Sequence, residues 1–519
     1  NGHQAVGRIP HWWERIRTPD QTEVEEEKTM RQWGYLAVWL LGALAAPLLG
    51  AATITWSGAG DGATWSQGTN WAGNTAPGAS DVAMFDGTVA PATVTGVSGT
   101  IQALQVDSGS NADLDITFQL NGNLVLTGNT GALYLGSGDA VVFDSTSATV
   151  RNVEIQDDLD SAGGGASYTF NAAATLHTTA GCSIVVRDNT TLIVQGLLWI
   201  EGATDFQVNN TSASSTVTFN NLELADYFMP ADTGGTPSVT IGGAITYTAD
   251  NSAWDDGNVN NDFIVTLAGS LVDFNNHNGL EFDFDQSSVV VTGSPVLQNV
   301  SGITSWSEPP RFNYLTISAG GSLTLPDGLP TSPAPYVNNN LVVNGTLNFG
   351  DNDFVTYGTD VTVGASGSLL AAGSPGTFTI QGNVVFTGTF SMPLNVYCWQ
   401  DSVVALGSDV TFAGNVIVNG SDFGADQDGG TTSNMATLRF NGNFATTSSG
   451  RLAVGEGNLY FGGNIDLSAA DDRVIGPSGA NTDPTVHFTG GTQSLDFSTG
   501  GSYFICNSVA STTVVNQSG

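Results

Sequence analysis

Lysine is nearly missing from this chain: Lys28 is the only one, and just 11% of the 519 residues carry charge. Beyond residue 52 the shortage of bases is sharper, with six arginines (Arg151, Arg187, Arg311, Arg439, Arg451, Arg473) against 42 acids. Such a surface repels phosphate backbones and anionic headgroups, which excludes nucleic acid and acidic membrane surfaces and leaves cations as natural partners. Cysteine is scarce too. Cys182, Cys398 and Cys506 stand far apart with no CxxC or Cys/His cluster, which argues against zinc and against a dense disulfide framework. They are expected as buried small apolar residues, with one long-range bridge left open. Helical blocks of Glu, Lys, Ala and Leu are absent after about residue 52, so a helical fold is excluded. A hydrophobic content of 40% excludes disorder. His177, His277 and His487 are isolated and assemble no nucleophile, base and orienting acid.

What is abundant is Gly (66 residues), with Thr, Ser, Val, Asn and Asp, a mixture for strands and turns. Before it comes Met30-Arg31, the apolar run Trp33 to Leu49 and then Gly50, Ala51 and Ala52. A basic start, an apolar middle and a small-residue end predict a secretory signal peptide over residues 30–52. Residues 1–29 resemble nothing after them and are read as a leader outside the mature protein. No membrane insertion is expected of the mature chain.

One pattern repeats: apolar, x, apolar, x, Gly-Asn, apolar, x, apolar. It occurs at Phe118 to Leu126, Phe378 to Phe386, Val410 to Val418, Leu438 to Thr446 and Leu459 to Leu467. Alternation turns one apolar face inward, and the Gly-Asn pair is expected to supply the positive φ of a sharp corner. The Asn residues at 383, 415, 443 and 464 are 32, 28 and 21 residues apart, about one coil of a solenoid. The prediction is all-β: a right-handed parallel β-helix (β-solenoid), with an antiparallel β-sandwich array as the alternative because Gly-Asn also suits a hairpin. Stacked coils would bring Asn ladders to the corners. The Trp/Gly-rich stretch 53–88 is expected as an N-terminal cap and 89–519 as solenoid, with an irregular, loop-rich section at about 140–310. The pattern stops in mid-repeat, so the sequence is expected to continue.

At this point the chain resembles bacterial secreted surface proteins with autotransporter-associated-type β-strand repeats. Trp56 to Asp61 with Trp65, Asn70-Trp71 and Asp81 to Phe85 resemble the opening segment of such passengers, and Leu315 to Leu325 and Asn340 to Gly350 resemble their repeats. The resemblance implies a right-handed β-helix, secretion and a role in surface display, adhesion or matrix building. Extracellular polysaccharide or a neighbouring cell surface is then the expected partner. A structural or adhesive protein without catalytic activity is the expected function, with a polysaccharide lyase or glycoside hydrolase as the alternative.

That alternative needs paired carboxylates, or acids with an Arg. The candidates are Asp255 with Asp256, Asp283 with Asp285, and Glu308 with Arg311, none in a specific motif. Trp254, Trp306 and Trp399 would stack on sugar rings if exposed, though core packing is expected of them. No cofactor is expected other than calcium, and for calcium the choice is between real sites and ordinary solvated turns at crowded acids on Gly-rich loops: Asp157, Asp158 and Asp160, and Asp422, Asp426 and Asp428, with Asp351 and Asp353 as a further pair.

Overall fold

The computed structural model describes residues 52–497 apart from short internal stretches, the longest at 426–435 and 469–484. The leader, the expected signal peptide and Cys506 lie outside the described residues. The described chain is all-β, with one 3-10 turn at Gly68–Asn70. Strand pairs with strand in parallel throughout the named elements, which rules out the antiparallel alternative. The exception is a single isolated bridge between Trp56 and Trp71.

Each coil visits three faces in a fixed order. On the first face Val82–Phe85, Ala103–Val106 and Leu133–Leu135 stack in sequence. The second carries Ala140–Ser145, Ser167–Phe170 and, one coil on, Thr191 to Val194. The third carries Arg151–Ile155 and Ala174–Thr178. The same columns run without a break through residues 140–310, and the Asp157 to Gly165 stretch expected as a loop contains the strand Asp158–Ser161. Hydrogen bonding between coils satisfies a backbone that a lone coil would leave open.

Alternation decides what fills the interior. Thr437–Phe440 buries Leu438 and Phe440 and turns Thr437 and Arg439 outward. Because parallel stacking keeps register, like side chains meet. Phe118, Phe143 and Phe170 form one row with ring centroids 5.4 and 4.9 Å apart, and Phe412, Phe440 and Phe461 form another at 5.4 and 5.2 Å. Each such ring, fully withdrawn from water, contributes roughly 2–3 kcal/mol.

The corners hold an Asn ladder. Asn395 Oδ1 accepts from the Asn415 backbone N–H, Asn415 Oδ1 from Asn443, Asn443 Oδ1 from Asn464 and Asn464 Oδ1 from Ser494, each at 2.9 Å. Two expectations change here. The preceding partner of Asn415 is Asn395, not Asn383, because the Phe378 to Phe386 unit is displaced by one face: Phe378 to Ile380 pairs with Val396 to Cys398. Gly-Asn therefore marks a kind of corner and not one particular corner. Nor is positive φ the reason for the glycine, since Gly382, Gly414, Gly442 and Gly463 all lie outside that region. The reason is close approach between coils: a Cβ on Gly442 would stand 2.3 Å from Gly414 O, and one on Gly463 2.3 Å from Gly442 O. Left-handed turns are made elsewhere, by Asn189, Asn251 and Asn275 among others.

The Trp-rich segment folds onto the first coils. Trp56, Trp65 and Trp71 are buried, and Trp56 stacks on Phe85 at 5.3 Å, which leads into the Phe118 row. Buried Asn70 is its hub: Oδ1 accepts from Gly60 and Gly62 N–H at 3.0 and 2.9 Å, while Nδ2 donates to Asp61 Oδ1 at 2.6 Å and Thr64 O at 2.9 Å. Four bonds from one amide tie Asn70 to Gly60, Asp61, Gly62 and Thr64 and so account for their spacing. Hydrogen bonds from Thr64, Asn70 and Ala63 hold the Asp61 carboxyl far below the usual range.

Candidate functional site

The first face gathers four charged residues that the sequence presents as separate pairs. Register places Asp255, Asp283, Arg311 and Tyr336 above one another on successive coils. Trp254, Phe282, Phe284 and Phe312 point inward and are fully buried, so Asp283 and Asp285 alternate outward between them. Irregular register between Glu281 and Asp283, and between Phe284 and Ser288, draws the acids toward Arg311. Its Nη2 lies 3.2 Å from Asp283 Oδ2, and Nη1 lies 3.5 Å from Asp285 Oδ2 and donates to the Tyr336 hydroxyl at 3.1 Å. Glu308 stands in register with Glu281.

Asp256 completes the group from the coil before. It is wholly buried, and among the described residues Asp256, Asp283 and Asp285 are the one set of three or more Asp, Glu, His or Cys whose ligand atoms all fall within 4.8 Å. Gln286 supports two of them, its N–H donating to Asp256 Oδ1 at 3.3 Å and its Nε2 to Asp285 Oδ1 at 3.1 Å. Burial pushes the Asp256 carboxyl up to about 8 against the opposing pull of Ser287, and Asp283 and Asp285 push the same way. Ser287 Oγ lies close to the Asp256 carboxyl, yet neither it nor Asp256 Oδ2 has a partner of hydrogen-bond geometry. Burial likewise raises Asp283 to about 7, opposed by Arg311, and the Tyr336 phenol to about 12.

These shifts give a pH prediction. The unfolded chain loses the Asp256 proton near pH 4, whereas the fold keeps it to about pH 8. Unfolding therefore releases a proton in that window, and stability falls as pH rises through it and then levels off. Asp283 acts in the same direction, with Asp255, Asp285 and Arg311 as the facing charges. In chelator-containing buffer, Asp256→Asn is expected to stabilise the protein at pH 8 by about 1–3 kcal/mol and to flatten the slope of melting temperature between pH 5 and 8. Denaturant melts of both proteins at the two pH values check it, and an unchanged slope would refute it.

The expected calcium loops are placed differently. Asp160 is held by Arg187 through two bonds of 2.8 and 2.7 Å, and Asp422 by Arg451 through Nε and Nη2. Asp157 and Asp158 form no such trio with Asp160; burial and then Asp158 raise the Asp157 carboxyl. Asp426 and Asp428 lie outside the described residues. Asp351 and Asp353 accept backbone N–H groups of Gly328 and Thr377, as turn acids do. Among the tryptophans, Trp254 is core, Trp306 is partly buried against Phe274, and Trp399 is 44% exposed beside Tyr397. Cys182 and Cys398 are buried free thiols, as expected of small apolar residues, and burial raises them to about 11 and 12.

Sequence reasoning missed Ser287, Tyr336 and an outward row on the third face, where His177 stacks on Trp199 at 4.0 Å and bonds Glu201 at 2.7 Å. Spacing was the available signal: Asp255, Asp283, Arg311 and Tyr336 follow at 28, 28 and 25 residues, one coil each. No family model, curated protein or solved structure matches the chain. Among the described residues no helix is long and apolar enough to cross a membrane.

Proposed function

We propose that this chain is a secreted, extracellular or cell-surface structural or adhesive repeat protein of the autotransporter-associated kind, without catalytic activity, facing polysaccharide or a neighbouring cell. The supporting observation is the use of its few bases. Arg187, Arg311, Arg439 and Arg451 each reach back to an aspartate on the preceding coil, at 2.7 Å for Asp160, 3.2 Å for Asp283, 3.3 Å for Asp409 and in closer contact for Asp422. Cations so committed clamp the stack together and are withdrawn from a substrate. The Trp-rich segment, in this reading, covers the first coil as a cap.

A carbohydrate-active enzyme is the second reading, favoured by one observation: Arg311 beside Asp256, Asp283 and Asp285. The two are separated by incubating the protein with acidic and neutral polysaccharides and measuring new reducing ends and unsaturated products, alongside pull-down of the same polymers. Binding without cleavage, together with recovery in the extracellular or surface fraction after processing near Ala51 or Ala52, is expected. Cleavage abolished by Arg311→Ala would replace the structural reading with the enzymatic one.

A further inference from the structure

We propose that Asp256, Asp283 and Asp285, with the hydroxyl of Ser287, form a calcium site that joins two adjacent coils on the first face. Three observations carry this. The first is geometric: the carboxylates converge within 4.8 Å from two coils, and two oxygens on opposite sides of a calcium ion stand about 4.6–5.2 Å apart. The second is the pair of stranded oxygens. Asp256 Oδ2 and Ser287 Oγ are wholly buried and bond to nothing, although buried polar atoms are nearly always satisfied, and Ser287 is close enough to act on the Asp256 carboxyl. Both are oxygen donors of the kind a hard cation takes.

The third is charge. With all three carboxylates ionised and one guanidinium beside them, the group would carry a formal surplus of two negative charges in a place where Asp256 has no exposed surface and Asp283 only 6%. A buried surplus of that size is costly unless compensated. One divalent ion cancels it, and Arg311 stays ion-paired while it does. A donor set of oxygen alone suits a hard cation, and a buried site suits calcium better than magnesium, which sheds its water reluctantly. The site is not one of the acidic loops that the sequence suggests for calcium; it shares its carboxylates with the enzymatic reading but does not depend on cleavage.

The test is titration of the chelator-stripped full chain with calcium chloride, read by calorimetry and by thermal unfolding. One saturable event is expected, with a rise in melting temperature of about 2 °C or more at saturating ion. Asp256→Asn and Asp283→Asn are expected to abolish both, with Asp256→Asn melting no lower than the parent in chelator, which shows that it folds. Ser287→Ala, the removal of one atom, is expected to weaken binding at least about tenfold. A variant carrying Asp158→Asn, Asp160→Asn and Asp422→Asn is expected to bind as the parent does. Absence of saturable binding, persistence of the event in Asp256→Asn and Asp283→Asn, or an equal shift with magnesium chloride would each overturn the assignment.

Discussion

Replacing Gly442 with alanine is expected to destabilise the C-terminal coils by about 3 kcal/mol or more. The new Cβ would fall 2.3 Å from Gly414 O and 2.5 Å from its carbonyl carbon, backbone atoms that cannot rotate away. Relief would require parting two coils that Asn415 and Asn443 hold at 2.9 Å. Gly320 offers the contrast. It has φ +82° and nothing within 4 Å of an added Cβ, so Gly320→Asn is expected to cost about 1 kcal/mol or less, since Asn tolerates that conformation. Urea melts of the two variants rank the mechanisms. Equal losses would mean that corner conformation, and not coil spacing, selects glycine here.

Phe440→Ala should cost about 3–5 kcal/mol, because it removes the middle ring of a buried row and leaves a cavity that its neighbours cannot close. Phe412 and Phe461 flank it at 5.4 and 5.2 Å, Phe444 meets it at 4.9 Å and Phe423 at 5.9 Å. Those rings sit on neighbouring coils or faces whose backbone is fixed by the ladder, so collapse is resisted from every side. In a solenoid each coil contacts only its neighbours, so the loss is local. Hydrogen exchange is expected to quicken over Asp409 to Leu467 while the row of Phe118, Phe143 and Phe170 keeps its protection. Uniform acceleration along the whole chain would contradict nearest-neighbour stacking.

Much of the fold was legible because its signals are local. Alternation in Leu438 to Phe440 names the buried side chains without any knowledge of what they pack on, and the recurrence of Asn announced the corner ladder before its bonds were seen. Register was not legible. The local signal misleads: Asn383 has the preceding glycine but stands at another corner, whereas Asn395, preceded by Leu394, occupies the ladder position below Asn415. The site was lost for the same reason. Asp256, Asp283, Asp285 and Arg311 were each noticed, but as pairs within one stretch of chain, whereas their meeting depends on coils of unequal length and on two irregularities in Leu280–Val291.

What the sequence determined by itself is the all-β, coiled character of the chain and the identity of its core, because side-chain period and apolar content act residue by residue. What the tertiary structure alone decided is which distant residues share a layer. Coil lengths vary, and only the parallel ladder converts position along the chain into position along the stack. That conversion set four arginines against four aspartates, brought Gly442 against the backbone of Gly414, and drew three scattered carboxylates to within 4.8 Å of one another.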